Sequence, residues 1–545
     1  VLADLSEIAE LTADVCVVGG GAAGLTLAQA LAAKGVSVIV LEGGGPRPTA
    51  TAQALYAGEV ADPLSHPWLH QFRVRALGGS SRIWGGRCLP FDPIDLEARD
   101  WVPHSGWPIA YEELLKWYPA AQEAAEAGPF DYDPATALPG RPAAFAPGLE
   151  AAATVTTRVE RFSKPTDFWR RYGEDLRASP HATIALNASV TGVRLRADGG
   201  AVDHIEVVDA KGRRRKVTAR RYVLAAGGLE TVRLLLASND VKPAGIGNDH
   251  DQLGRGYMSH TAATSGYVTF NAPPAFDYER DGEGIYLRRR LWITGETQRQ
   301  LKLLNVAFRT HLPEIADPAH GDAILSAMYL VKDFVLYEYS RKMRERPIRL
   351  RETLKHLGNV ISQPIRLAKF SCKWVFDRIL ADRKLPSVVL GSKVNRFAVE
   401  FHGEQAPNPD SRLTLGNERD ALGMLRLRAD WRLTELDLAS LERAYGVLAQ
   451  ALEDTGAGRL DYDPAAVRAQ TLKDGAYGGH HLGGARMSAD PAQGVVDANC
   501  QVHGVEGLYV ASSAVFPTSG QANPTLTILA LTLRLADRLA SDLKA

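Results

Sequence analysis

Gly19, Gly21 and Gly24 stand in G-x-G-x-x-G spacing, and Glu42 closes the apolar run that follows them. Three glycines and an acid so spaced suit a dinucleotide. The first glycine allows a tight turn, the second lets backbone approach a pyrophosphate, and the third lets helix and strand pack closely. The pyrophosphate then meets free N–H groups at a helix N-terminus. Glu42 can accept from a ribose 2'-hydroxyl and would repel a 2'-phosphate, which disfavours an NADP-type ligand. The elements this needs come in order: an apolar strand over 15–18, a helix over 25–33 and a second strand over 36–41. The competing reading is a glycine-rich turn without a ligand, and the segment alone does not say which dinucleotide it holds.

Two further stretches could face the same ligand. LGGSSRIWGGRCLP at 77–90 brackets Ser81 and Trp84 with glycine pairs that include Gly79 and Gly85. Such a loop can lay backbone N–H groups against a flat or anionic group, or it can be a surface turn. An exposed Trp would be a poor fit to the second reading. YVLAAGG at 222–228, with Ala226, is another strand running into glycines, and a helix over 229–238 follows. His480 and His481 are adjacent. Neighbouring side chains in an extended segment diverge, so one of the pair should face a given ligand. As metal ligands they lack a clear third partner, and no metal is expected.

Composition bounds the rest. The 545 residues suffice for a large core and two domains or more. Lys plus Arg and Asp plus Glu number 63 each, so nothing global favours nucleic acid. Cys16, Cys88, Cys372 and Cys500 are far apart and form no framework, which suits a reducing compartment. No signal peptide or membrane span is visible, and a cytoplasmic location is expected, without excluding export with a partner. Alternating stretches over 261–311 predict an antiparallel sheet, and 323–385 reads as long helices. Between 341 and 384 stand thirteen Lys or Arg against four acids. That basic region could bind an acidic partner or an anionic membrane surface, or be a solvated helical insertion. Trp292, Tyr329 and Tyr337 could stack on a ring or sit in the core.

Four stretches together resemble the glucose-methanol-choline (GMC) oxidoreductases, FAD-dependent enzymes that oxidise alcohols. They are VVGGGAAGLTLA…VIVLEGG, LGGSSRIWGG, YVLAAGGLETVRLLLAS and GHHLGGARMS…GVVDANCQVHGVEGLYVASSAVFPTSGQANPTLTILALTLRLAD. The resemblance implies an α/β chain, α+β overall. A Rossmann-like FAD-binding domain is expected beside a substrate domain of antiparallel sheet plus helices. The expected division is FAD-binding parts at 1–110, 181–265 and 475–545, a helical or loop connection at 111–180, and a substrate domain at 266–474 with the basic insertion 323–385.

By this resemblance His480 heads the family's H-x-x-G-(T)-x-x-M pattern and is the catalytic base, with His481 as the alternative. Asn523, before Pro524 and Thr525, takes the second catalytic position. His481 stands where a Pro is common, and Gly484 where a Thr is usual. Ile83 stands where some members carry the His that binds FAD covalently, so non-covalent FAD is expected. The cofactor residues implied are Gly19, Gly21, Gly24, Glu42, Gly79, Ser81, Trp84, Gly85, Val190, Ala226, Ala511, Ser512, Val515 and Thr525. The chain is similar to the sugar-oxidising branch, including pyranose oxidases and glycoside 3-dehydrogenases. That implies a sugar or glycoside secondary alcohol as substrate, with an aliphatic, aromatic or steroid alcohol as alternative. Oxygen or a redox carrier would be the electron acceptor. An NAD enzyme or a non-catalytic flavin-binding protein are the rival classes.

Overall fold

The computed structural model describes residues 1–332, 350–476 and 478–544. Two eight-stranded sheets organise it. In the first, Leu2–Asp4, Ala182–Leu186, Val38–Leu41, Thr12–Val18 and Arg214–Leu224 lie side by side in parallel, and Leu508–Val510 adds a further parallel strand. The antiparallel hairpin Ser189–Leu195 and Val202–Val208 extends one end. Val15, Cys16, Val17, Val38, Ile39, Val40, Val223 and Leu224 are all buried, as strands covered on both faces require. The helices Ala22–Ala32, Gly227–Ala237 and Thr525–Lys544 pack around this sheet.

The second sheet is antiparallel. Its order is Gly458–Asp461, Thr261–Phe270, Arg396–Gly403, Val306–His311, Tyr286–Ile293, Val155–Phe162 and Arg87–Cys88. Alternation gives it two unlike faces. Leu291, Ile293, Val306, Phe308, Val399 and Phe401 pack against Leu441, Tyr445 and Leu448 of the helix Glu435–Asp454. The alternate positions, Glu160, Arg288, Arg290, Arg309, Glu400 and His402, make the opposite face polar.

Several expectations change. The 111–180 connection contains the strand Val155–Phe162, and the 1–110 part contributes Arg87–Cys88 to the second sheet. Val155–Phe162 escaped notice because Arg158, Glu160 and Arg161 interrupt its apolar pattern, and all three are held by cross-strand or loop partners. The chain starts with an edge strand, Leu2–Asp4, and a short 3-10 turn, Leu5–Glu7. Trp292 and Tyr329 are packing residues. Arg158 covers the Trp292 ring, whose N–H donates to Asn305, and Tyr329 stacks on His356. Tyr337 lies outside the described residues.

Of the basic insertion, the structure describes Ala323–Leu330, Leu350–Ser362, Pro364–Trp374 and the turn Val375–Leu380. Arg341, Lys342, Arg344, Arg346 and Arg349 fall outside the described residues. In Leu350–Ser362, His356 is buried, while Leu350, Leu354, Leu357 and Ile361 recur at helical spacing and are exposed. Among the described residues no helix is long and apolar enough to cross a membrane.

Candidate active site

The glycine motif forms a cradle at the carboxyl end of the first sheet. A Cβ on Gly24 would lie 1.9 Å from the carbonyl oxygen of Gly19. Glycine is therefore needed there for contact between helix and turn. Gly79 holds φ +57°, and a Cβ on it would lie 2.9 Å from the Cα of Gly21. The 77–90 loop thus closes directly on the motif, and a surface turn is excluded. Between them runs a cleft of about 850 Å³ lined by Gly19, Gly21, Glu42, Gly79, Ser81, Trp84, Ala226, Ala511, Ser512 and Thr525. A second chamber of about 610 Å³, reached past Gly19, Glu42, Tyr56 and Ala226, is lined by Val190. A long cleft with a glycine floor and two chambers fits a dinucleotide.

Ten of the fourteen expected cofactor residues thus line one cleft, and Val190 lines its extension. Three do not line either space. Gly24 acts through packing. Gly85 is exposed, and Val515 is a core residue whose carbonyl accepts from Met487. The Glu42 carboxylate is buried and accepts from the N–H groups of Gly20 at 2.8 Å and Gly44 at 2.7 Å. Burial raises its pKa despite nearby Arg75. Each oxygen keeps one lone pair, so a ribose hydroxyl can still be bound.

His480 and His481 diverge into separate networks. His480 Nε2 is 3.0 Å from Asn523 Nδ2, and its Nδ1 is 2.8 Å from Nδ1 of His260. Nε2 of His260 is 3.1 Å from the carbonyl oxygen of Ser519. These contacts fix the protons. A carbonyl only accepts, so His260 carries its proton on Nε2 and accepts on Nδ1. His480 then donates from Nδ1, which leaves its Nε2 with a free lone pair directed at Asn523.

His481 follows the same logic elsewhere. His66 donates to the Pro67 carbonyl at 2.6 Å, so Tyr257 donates to its Nε2 at 2.8 Å. Tyr257 in turn accepts from His481 Nδ1 at 2.7 Å. Nε2 of His481 and Oδ1 of Asn523 are both buried without a protein partner. Orphaned polar atoms at such a place are accounted for by a ligand.

His402, on the polar face of the second sheet, donates to the Gln521 carbonyl at 2.6 Å. His260 and His402 therefore grip the same loop, at Ser519 and Gln521, and that loop leads into Asn523 and the helix Thr525–Lys544. Thr525 lines the dinucleotide cleft, while Asn523 lines a separate narrow cavity with His402. The helix N-terminus thus sits between the two spaces.

His260 and His402 were missed in the sequence because each stands alone, 220 residues from His480 in the first case. The three rings could hold a metal ion, since one nitrogen from each lies within 4.8 Å of the others. Two of these nitrogens, those of His260 and His480, already share a proton across 2.8 Å.

All five histidines are driven towards the neutral form. Burial is the main cause in each, and it brings His66 and His260 down to about 4 and puts His402, His480 and His481 well below 6.5. Neighbouring cations act in the same direction: Arg87 beside His260, His402 and His480, Arg309 beside His402, and Arg73 beside His66 and His481. The sign for stability follows. Below pH about 6.5 the unfolded chain takes up protons that the folded chain refuses until lower pH. Stability is full above that value and falls as pH drops towards about 4, by up to ~1.4 kcal/mol per pH unit for each histidine. The urea midpoint at pH 5 is therefore expected well below that at pH 7.5. Equal midpoints would contradict neutral burial.

Residues 14–331 match the family model described as FAD dependent oxidoreductase, and residues 407–532 match that described as GMC oxidoreductase. The chain belongs to the FAD-dependent oxidoreductases and ends in the C-terminal domain of the GMC enzymes. It is 24% identical to 6'''-hydroxyparomomycin C oxidase of Streptomyces lividus, across 98% of this chain and 92% of that one. Identity to the fructose dehydrogenase large subunit of Gluconobacter japonicus is 22%, across 98% and 99%. A stretch covering 23% of each chain is 35% identical to C-glycoside 3-oxidase of Arthrobacter globiformis. Among solved structures, pyridoxine 4-oxidase from Mesorbium loti matches with a TM-score of 0.52 at 16% identity, covering 96% of this chain and 99% of that one. Formate oxidase gives 0.54 at 16%, covering 98% and 99%. The protein is an FAD-dependent enzyme of the alcohol oxidase and dehydrogenase class.

Proposed function

We propose that the protein oxidises a secondary hydroxyl of a sugar or glycoside to the carbonyl, with His480 as base. The observation that carries this is the proton order Asn523–His480–His260–Ser519, which leaves Nε2 of His480 unprotonated against Asn523, itself a cavity-lining residue two positions before the cleft-lining Thr525. FAD, held non-covalently because Ile83 offers no attachment atom, supplies the acceptor for the carbinol hydride. The substrate hydroxyl takes the place of the direct Asn523–His480 contact. Its proton passes to Nε2 of His480 as the C–O bond becomes double. Asn523 cannot take a proton, but its amide N–H holds the substrate oxygen. Nδ1 of His260 accepts from the imidazolium that forms. His481 orients Tyr257 and His66 through Nδ1, keeps Nε2 for a hydrogen bond to a ligand, and is not the base in this scheme.

The sugar assignment is supported by these relatives, whose names are those of sugar and glycoside oxidising enzymes, and by the hydrogen-bonding side chains Glu160, His402, Gln521 and Asn523 that line the cavity. Anaerobic mixing with sugars, glycosides, and aliphatic, aromatic and steroid alcohols tests it. Bleaching of the flavin by sugars first is the expected result. Bleaching only by apolar alcohols would replace the substrate class, and no bleaching by any alcohol would favour a non-catalytic flavoprotein. Reoxidation in air, compared with an artificial acceptor, separates oxygen from a redox carrier.

His260 is a positioning residue in this scheme. His260→Phe is expected to slow flavin reduction about 10- to 100-fold and to move the pH profile, because Nδ1 of His480 loses its acceptor. His260→Asn, which offers an acceptor oxygen, should recover part of the rate. Equal rates in both variants would remove this role.

The exposed seam of Leu350, Leu354, Leu357 and Ile361, with Arg351 and Lys355 beside it, supports docking on an anionic membrane surface. Co-sedimentation with phosphatidylserine vesicles but not with phosphatidylcholine vesicles is expected. Equal pelleting with both would dismiss it.

A further inference from the structure

The cavity beside Asn523 carries more positive than negative charge among the described residues. Period-two alternation brings Glu160, Arg288, Arg290, Arg309 and Glu400 to one face of the second sheet, and Arg87 joins them from its edge strand. The carboxylates are already engaged. Glu160 lies 3.4 Å from Nε of Arg87 and 3.0 Å from Arg309, and Glu400 pairs with Arg309 and lies 3.8 Å from His311. Four guanidinium groups thus face two carboxylates.

Arg290 has no carboxylate of its own. It donates to Gln521 Oε1, is 4% exposed, and keeps its Nε buried without a partner. Nε of Arg87 is buried and makes no hydrogen bond, although Glu160 lies 3.4 Å from it and is shared with Arg309. Removing a guanidinium from water without an anion is costly, and one partner on a ligand restores the balance through charge-assisted hydrogen bonds. Both arginines line the narrow cavity with Asn523 and His402. Past Arg87 and Arg309 this cavity continues into a space of about 550 Å³ that Arg288 also lines.

Resting on the reading of His480 and Asn523 as the alcohol site, we infer that Arg290 and Arg87 hold an anionic group of the substrate. The alcohol is then an acidic sugar bearing a carboxylate, phosphate or sulfate. An amine-bearing sugar is disfavoured by the same charges. The rule is electrostatic: Arg290 and Arg87 bind the anion and leave the reacting hydroxyl to the His480–Asn523 pair.

The test compares methyl glucopyranoside with methyl glucopyranosiduronate, glucose 6-phosphate, glucose 6-sulfate and glucosamine in anaerobic reduction of the holoenzyme. The expected kcat/KM for at least one acid is tenfold or more above the neutral sugar, and the best acid identifies the anion. Arg290→Gln should lower that acid-to-neutral ratio at least tenfold. Equal rates on acid and neutral sugar, or equal losses on both in the variant, would overturn the inference. Arg87→Gln gives the same ratio if Arg290→Gln does not fold.

Binding separates this inference from the alcohol reading. Inorganic phosphate, sulfate and glucuronate should raise the thermal midpoint of wild-type holoenzyme in a saturable way and do so less in Arg290→Gln. If no sugar bleaches the flavin, the catalytic reading fails while this titration still decides the anion site. No shift with any of the three anions in wild type would overturn it.

Discussion

Replacing His480 by Ala is expected to slow flavin reduction by about 10²- to 10⁴-fold, the range a positioned general base contributes. The reason lies in the proton order. Asn523 Nδ2 and His260 Nδ1 bracket the ring so that Nε2 of His480 carries the free lone pair. No other group in that chain can take a proton there, since Asn523 is an amide and His260 is committed to the Ser519 carbonyl. The loss should fall on kcat more than on KM, because the cavity walls beside Asn523 remain. His481→Ala should leave a far larger residual rate, as its ring belongs to the Tyr257–His66 network and not to the Asn523 pair. Rapid-mixing measurement of flavin bleaching decides between them. Near-normal reduction in the His480 variant would assign the proton to another group.

Gly24→Ala is expected to yield protein that binds little FAD and melts markedly lower. The added Cβ would lie 1.9 Å from the Gly19 carbonyl oxygen, a backbone atom that cannot move without opening the turn. Overpacking of this kind costs about 1–3 kcal/mol or more. Gly21→Ala makes a useful contrast, because its Cβ would meet only the Cα of Gly79, at 4.0 Å. Its stability should be near normal while the methyl group intrudes on the cleft and weakens cofactor retention. The ratio of flavin to protein absorbance, read beside the thermal midpoint, separates the two effects. A Gly24→Ala protein with full flavin and an unchanged midpoint would deny the close approach.

The sequence by itself determined the cradle. Gly19, Gly21, Gly24 and Glu42 act within one strand–helix–strand unit, so local spacing carries the whole signal. The same holds for the strand end at Ala226 and for the 77–90 loop, whose glycines need a close neighbour. The family resemblance named His480 and Asn523, which lie 43 residues apart and are joined here across 3.0 Å. The resemblance also implied Gly85 and Val515, and a motif match does not say which way a residue faces.

Only the tertiary structure decided how the protons are ordered and what lines the substrate cavity. His402 lies in a strand of the second sheet and His260 directly precedes another, and no local periodicity distinguishes a histidine that meets a distant loop from one that meets water. Arg87, Glu160, Arg290, Arg309 and Glu400 come from five different strands. Their juxtaposition depends on which strands pair and in what register, and pairing between segments hundreds of residues apart is set by packing of the entire sheet rather than by any one segment. The two histidines in succession gave one chemistry in the sequence. Alternation of the backbone sent one ring to Asn523 and the other to Tyr257, and that separation made them different residues.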